Sequence, residues 1–317
     1  MRFNKVAKSA IFCYTIINFM QFIGQPHIIS FFDLAVQNDK LGQAYCFVGA
    51  SQVGKRTFAN ILASRILNVE IAKLKFNPDY YYVERLVDEK TEKKKKEISV
   101  DQSRELREKF YNRSWLNGYK IAIIDEAELL NEESGNALLK IIEEPPAKSI
   151  IFLLTENDAL LLPTIRSRCQ MFQFAPVSDV DIEKLVTSVS DIQDTKEIVE
   201  LSWGRPGRAI ELCKDFDLFA NCLKEKTRWQ KILVAPIHER WQAMEDILSE
   251  KGGLVKTKEK LDPILDFWMM LWREKMLTEK KTDDRYRIII DDLKNIKNLL
   301  SANVNPRLAI EQFLTTF

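Results

Sequence analysis

The segment Gly49-Ala50-Ser51-Gln52-Val53-Gly54-Lys55 has the spacing G-x-x-x-x-G-K and lies between an apolar run, 44–48, and a helical stretch, 57–67. Nothing else in the chain constrains its fold as tightly, because a strand must end, a glycine-rich loop must turn and a helix must begin in quick succession. In a phosphate-binding loop (P-loop) of this kind, backbone N–H groups at the helix N-terminus wrap phosphate oxygens and the lysine reaches the outer phosphates. Gly49, Gly54 and Lys55 are therefore candidates for holding ATP. The next position calls for Ser or Thr, whose hydroxyl binds the Mg²⁺ that bridges the outer phosphates, and Arg56 stands there instead. Thr57 comes one place late, which on a helix means about 100° of rotation. Both stay in the candidate set, Arg56 because its charge can offset phosphate. The substitution argues against magnesium, and hydrolysis is expected to be lost before nucleotide binding.

Further apolar runs of strand length at 80–83, 121–124 and 150–154 are separated by stretches of helical character. Strands alternating with helices predict an α/β domain with a mainly parallel sheet covered on both faces. Beyond 178 strand-like runs nearly vanish and helical periodicity takes over. A chain of 317 residues is also too long for one core. The predicted organisation is an N-terminal extension over 1–19, a nucleotide-binding domain over 20–176, a small helical lid over 177–222 and an all-α domain over 223–317. In the last, Ile264, Phe267, Trp268, Leu271 and Trp272 follow helical spacing and make an apolar stripe that belongs in a core or a subunit interface. The charged stretch 88–97, with Lys93 to Lys96, lies between candidate strands at 80–86 and 97–100 and reads as a solvated hairpin tip.

With 47 basic and 46 acidic residues the net charge is +1, so any nucleic-acid contact must come from a local patch. Arg104 and Arg107, on the helix after Asp101, are candidates for phosphate contact. Cys13, Cys46, Cys169, Cys213 and Cys222 are scattered without a CxxC pair, which suits a reducing cytoplasm and gives no metal site. Arg2, Lys5 and Lys8 before the apolar run 10–19 have the outline of a signal peptide. That run is too short for a bilayer, which needs about 20 apolar residues. It reads as an amphipathic extension or as a start placed upstream of a true one at Met20, and no membrane partner is expected.

The run Ile121-Ala122-Ile123-Ile124-Asp125-Glu126 is a buried strand ending in two carboxylates. This is the Walker B arrangement, in which Asp125 would hold the metal through water and Glu126 would polarise the attacking water. Downstream stand Asn136-Ala137-Leu138-Leu139-Lys140-Ile141-Ile142-Glu143-Glu144-Pro145-Pro146 and Thr164-Ile165-Arg166-Ser167-Arg168-Cys169. The first is an amphipathic helix stopped by a double proline. Together they resemble the signature of clamp-loader subunits of bacterial DNA polymerase III, members of the AAA+ ATPase class.

Several roles follow from that resemblance. It implies that Arg168 reaches across a subunit interface to a neighbour's ATP as a trans arginine finger. Phe22-Ile23-Gly24-Gln25 resembles the box beside the adenine, and Gly204-Arg205-Pro206-Gly207-Arg208-Ala209 resembles the sensor 2 segment, with Arg208 as its arginine. Asn303-Val304-Asn305-Pro306-Arg307-Leu308-Ala309 is similar to the closing helix of the collar domain that joins subunits into a ring. The implied partners are gamma/tau-type and delta-type subunits in a hetero-oligomeric ring, the sliding clamp and primed DNA, with DNA replication in the cytoplasm as the setting.

Two departures from the family pattern narrow the reading. The stretch 67–78 has no cysteine where many relatives carry a four-cysteine zinc module, so no zinc is expected. The sensor 1 position falls on Glu156, beside Thr155, and a carboxylate there would repel a γ-phosphate. A chain lacking the magnesium hydroxyl and a usable sensor 1 but keeping Arg168 fits a stator with weak or no ATPase activity as an isolated chain. The alternatives are an ATP-hydrolysing gamma/tau-type subunit or other AAA+ DNA-remodelling motor, and a P-loop small-molecule kinase. The helical C-terminal third and Ser167-Arg168-Cys169 weigh against the kinase.

Overall fold

The computed structural model describes residues 22–88, 94–112, 114–115, 118–146, 148–189, 194–248, 253–279, 284–302 and 304–315. The expected extension over 1–19, Cys13, Lys93 and Asn303 lie outside them. Five strands, β1 (Ala44–Val48), β2 (Tyr80–Val83), β3 (Lys120–Ile124), β4 (Ser149–Thr155) and β5 (Gln170–Gln173), form a parallel sheet in the order β2-β3-β4-β1-β5. Every residue of β1, β3 and β4 is buried, whereas the edge strands β2 and β5 are mostly half-exposed or exposed. Central strands of a parallel sheet are covered on both faces, so they read as unbroken apolar runs; edge strands do not. That is why β5, with its sequence Gln-Met-Phe-Gln, gives no strand signal in the sequence.

The two faces have different chemistry. Tyr45, Phe47, Ile121, Ile123, Ile150 and Phe152 pack with Phe32 of α1 (Pro26–Gln37) and Phe58 and Leu62 of α2 (Lys55–Leu67). Phe32 is the node of that face, with ring centroids 4.9 Å from Tyr45 and 5.7 Å from both Phe47 and Phe58. On the other face Cys46, Val48, Ala122, Ile124, Ile151 and Leu153 meet Leu106 and Phe110 of α3 (Val100–Tyr111) and Leu138 and Ile141 of α4 (Glu132–Glu143). The period-two alternation of a strand sorts these sets onto opposite faces.

The expected strand at 97–100 does not form. Ile98 makes an isolated bridge to Leu130, and Ser99 starts α3 instead, its side chain accepting from the Gln102 N–H while Gln102 reaches back to the Ser99 N–H. A capping box of this kind favours helix over strand. The charged stretch before it is flanked by an antiparallel bridge between Val87 and Lys94, and its tip, 89–93, lies outside the described residues.

After the short α5 (Pro163–Arg166) and β5 come the lid helices α6 (Asp179–Val189), α7 (Thr195–Ser202) and α8 (Pro206–Lys214). Gly204, at φ +66°, accepts from the Val177 N–H at 2.7 Å, and a Cβ there would stand 2.6 Å from the Val177 carbonyl oxygen. The lid is also bonded to the P-loop: the Gly207 N–H donates to the Gln52 carbonyl at 2.9 Å, and Gln52 Nε2 donates to Glu211 Oε2 at 2.7 Å.

The chain divides into compact units at 213/214. The sequence placed the lid boundary at 222/223, but α9 (Phe216–Val234) runs unbroken through that point, capped by Asp215 accepting from the Leu218 N–H. Described by itself, the second unit comprises α9, α10 (Ile237–Leu248), α11 (Gly253–Glu279), α12 (Asp284–Ser301) and α13 (Pro306–Leu314). Phe267, Trp268 and Trp272 of the expected stripe are buried in its core. Trp229 lies 5.1 Å from Trp268 and 5.8 Å from Trp272, and it stacks on Phe313. Beside this core the buried Arg228 pairs with Glu225 at 2.5 Å and Asp246 at 2.6 Å, as a buried guanidinium must. No helix among the described residues is long and apolar enough to cross a membrane.

Lys120 fixes the start of β3. Its buried ammonium donates to the carbonyls of Lys109, Phe110 and Asn112 at the C-terminal end of α3, where the helix dipole favours a cation and the last carbonyls lack partners. Lys120→Met keeps the chain length and removes the donors. It is expected to cost about 2 kcal/mol, read as a lower urea midpoint with the slope unchanged. An unaltered midpoint would show that the helix end needs no cation.

Candidate nucleotide site and interface arginine

The loops after β1, β3 and β4 all leave the carboxyl edge of the sheet, since Val48 stands opposite Thr155 and Ile124 opposite Leu153. Open α/β sheets bind ligands at this edge. Here it borders a cleft of about 570 Å³ whose walls include Gly54, Lys55, Arg56, Thr57, Asp125, Glu126 and Thr155, seven of the candidate residues. Phe22 and Ile23 of the expected adenine box also line it.

Gly49 supports the cleft from behind. A Cβ there would meet the Phe174 carbonyl oxygen at 2.5 Å, so only glycine lets the loop pass. Gly54 caps α2 at φ +106°, a conformation side chains disfavour, and the Phe22 ring lies 3.0 Å from where its Cβ would be. Lys55 is folded onto its own loop, its ammonium donating to the carbonyls of Gly49 at 2.6 Å and Ala50 at 2.9 Å. Burial lowers its pKa, opposed by the nearby charges of Glu156, Asp125 and Glu128. Arg56, at the magnesium-hydroxyl position, lies over the Tyr82 ring, 4.4 Å from its centroid, in a cation–π contact.

Both Walker B acids already have protein partners. Tyr82 Oη donates to Asp125 Oδ2 at 2.5 Å, and the other carboxylate oxygen accepts from the Glu126 N–H at 3.1 Å. Burial, and then the Asp125 carboxylate, push the Tyr82 phenol far above its ordinary value, so it stays a donor. Arg85 clamps Glu126 in a bidentate pair, Nη2 to Oε1 at 2.6 Å and Nε to Oε2 at 2.7 Å, with Lys94 at 4.0 Å. The Arg85 hydrogen bonds hold the Glu126 carboxyl below the usual carboxylate range, against the opposing effect of burial. A carboxylate bound in this way is a poor base for a water.

Two candidates spend their polar groups on the protein itself. Thr155 lines the cleft, but its hydroxyl donates to the Asn157 carbonyl at 3.1 Å within a tight turn, beside the exposed Glu156, which lines the cleft too. Arg208, expected beside the phosphates, does not line the cleft: its Nε donates to the Leu201 carbonyl at 2.8 Å, and its guanidinium lies 4.2 Å from the centre of the Trp203 ring. Trp203 sits at φ 52° directly after α7, so that ring intercepts the arginine.

The two acids expected to serve magnesium fit it poorly: the ion takes near-octahedral oxygen ligands, and here Asp125 is bonded to a phenol, Glu126 to a guanidinium, and a second guanidinium stands at the hydroxyl position. Glu128 and Glu156 also line the cleft, Glu128 accepting from the Glu156 N–H at 3.3 Å. The sequence reading missed Tyr82 and Arg85. Their only signal would have been the pairing of β2 with β3, which sets Tyr82 opposite Ile123, two residues before Asp125. The described cysteines form no disulfide, and burial pushes the Cys46 and Cys169 thiols up to about 12.

Arg168 lies outside the cleft, in the turn between α5 and β5. Its exposed guanidinium pairs with Glu143 Oε1 at 2.7 Å and donates to the Thr164 carbonyl at 3.0 Å. Of the proposed DNA contacts, Arg104 is exposed and lies 3.9 Å from Asp101, and Arg107 is half-buried.

A family model described as "DNA polymerase III, delta subunit" matches residues 24–178. The chain is 38% identical over 138 residues to DNA polymerase III subunit delta' of Escherichia coli, covering 43% of this chain and 40% of that protein. It is 26% identical over 274 residues to the delta' subunit of Pseudomonas aeruginosa, covering 80% and 77%. It is also 35% identical over 224 residues to the gamma/tau subunit of Mycoplasma genitalium, covering 67% of this chain and 37% of that one. The E. coli and M. genitalium matches thus span less than half the length of those relatives. By its motifs, its sheet and these matches, the chain is similar to DNA polymerase III subunits of the delta-prime type, with a gamma/tau subunit also matched.

Proposed function

We propose that this chain is a cytoplasmic stator of a clamp loader: it helps a hetero-oligomeric ring open the sliding clamp and place it on primed DNA, turns over little or no ATP itself, and lends Arg168 to the ATP of a neighbouring gamma/tau-type subunit. The observation that carries the reading is the separation of two kinds of charge. The acids that would serve hydrolysis are bonded to Tyr82 and Arg85, whereas Arg168 is exposed, outside its own cleft and held by a surface carboxylate it can exchange. A guanidinium so placed can move to a neighbour's γ-phosphate and stabilise the charge that develops in transfer. Glu143 would hold it until then and release it at little cost, because an exposed ion pair contributes only about 0–1 kcal/mol.

The test is a ring reconstituted with Arg168→Ala. An arginine finger contributes about 10³ to 10⁵ in rate at the phosphate it serves, so DNA-stimulated hydrolysis at the neighbouring site and clamp loading are both expected to fall. The isolated variant should keep its stability within about 0.5 kcal/mol, as surface substitutions usually do. Full activity in an assembled mutant ring would remove the finger role.

The match to a gamma/tau subunit favours the second reading, an ATP-hydrolysing subunit. A steady-state assay on the isolated chain separates the two. The stator reading predicts negligible turnover, and a rate near 1 s⁻¹, about the low end for enzymes, would select the motor.

A further inference from the structure

The side chains around Asp125 and Glu126 do more than fit a metal poorly; they stand where its charge would act. Three groups from separate parts of the first unit converge there. Tyr82, on the edge strand, satisfies Asp125 with its hydroxyl. Arg56, from the first turn of α2, covers the same ring. Arg85, just beyond β2, occupies both oxygens of Glu126, with Lys94 behind it. Glu126 has the left-handed backbone conformation, φ 53°, which a residue with a side chain adopts only when its surroundings hold it there. Its N–H donates to Asp125 Oδ1 at 3.1 Å, its carbonyl accepts from the Leu129 N–H at 2.9 Å, and the bidentate pair ties down its side chain.

We infer that Arg56, Tyr82 and Arg85 together are an internal replacement for the magnesium ion, closing the acid end of the cleft to divalent cations while leaving the P-loop backbone intact. This inference rests on the reading of the cleft as non-hydrolysing and names what keeps it so. For a divalent cation to be held and used there, Asp125 must exchange a short bond from a phenol for metal-bound water, and Glu126 must give up its bidentate bond from Arg85, which would keep only a 3.3 Å bond from Nη1 to the Lys95 carbonyl. Arg56 adds a positive charge at the site where the ion would sit. The defect is therefore not confined to the P-loop. Restoring a hydroxyl at position 56 removes one of three obstacles, and the two acids stay occupied.

The experiment measures binding of an ATP analogue with a fluorescent ribose by anisotropy, with Mg²⁺ and with EDTA, on the full chain and two variants whose fold is checked by circular dichroism. In the wild type and in Arg56→Thr, Mg²⁺ is expected to change the affinity less than about threefold. In Arg56→Thr combined with Tyr82→Phe and Arg85→Gln, Mg²⁺ is expected to tighten binding by about tenfold or more, a gain of about 1.4 kcal/mol. Phe keeps the ring and Gln a polar side chain, so the packing changes little. The inference is overturned if Arg56→Thr alone gains the full Mg²⁺ dependence, if the wild type already has it, or if the folded triple variant gains none. Should the triple variant fail to fold, Arg56→Thr/Tyr82→Phe and Arg56→Thr/Arg85→Gln are titrated with Mn²⁺ alone by paramagnetic resonance. Each is expected to bind the ion more tightly than Arg56→Thr, and equal binding in both overturns the inference. These readouts use the isolated chain, so they stand or fall separately from the ring assay on Arg168.

Discussion

The hydrogen-bonded register of three neighbouring strands governs everything at the site. β4 pairs with β1 on one side and β3 on the other, so the P-loop, the two acids and the turn carrying Glu156 emerge at one edge of the sheet. The register is set by burial. A shift of one residue would turn Tyr45, Phe47 and Phe152 from the aromatic face to the aliphatic one, where there is no pocket of that size. Packing that is specific to each face thus holds the phosphate loop next to the acids, whether or not a nucleotide is used there.

What the sequence made legible was local. The P-loop, the acid-tipped strand and the double-proline helix are contiguous patterns, and each lies in the structure where its spacing put it. Within the apolar stripe at 264–272, Phe267, Trp268 and Trp272 are buried, Ile264 and Leu271 are half-buried, and Leu265, outside the expected set, is fully buried. What escaped was set by partners distant in the chain or by a single neighbouring residue. Tyr82 bonds to a carboxylate 43 positions away, through a strand order that no pattern in β2 encodes. Arg208 was assigned from its motif, but the ring of Trp203 and the Leu201 carbonyl hold it off the cleft. Ser99 reads equally as a strand residue, and Gln102 decides the matter by closing a capping box.

Arginine serves opposite ends in the two halves of this chemistry. Arg85 is fixed, bidentate and sheltered, which suits a residue that must never leave its carboxylate. Arg168 has one carboxylate contact, backbone and hydroxyl contacts in its own turn, and an exposed side chain, so its bonds are open to exchange. Geometry, more than the identity of the side chain, separates a locked guanidinium from an exchangeable one.

In a nucleotide-driven domain the lid and the phosphate loop commonly communicate through the bound phosphates, and their relation changes as those phosphates come and go. Here the Gln52 carbonyl receives the Gly207 N–H and its side-chain amide reaches Glu211, so loop and lid are joined by protein atoms alone. Such a joint needs no nucleotide to form. In the stator role proposed above, it would give neighbouring subunits a lid already fixed to its phosphate loop to bear on.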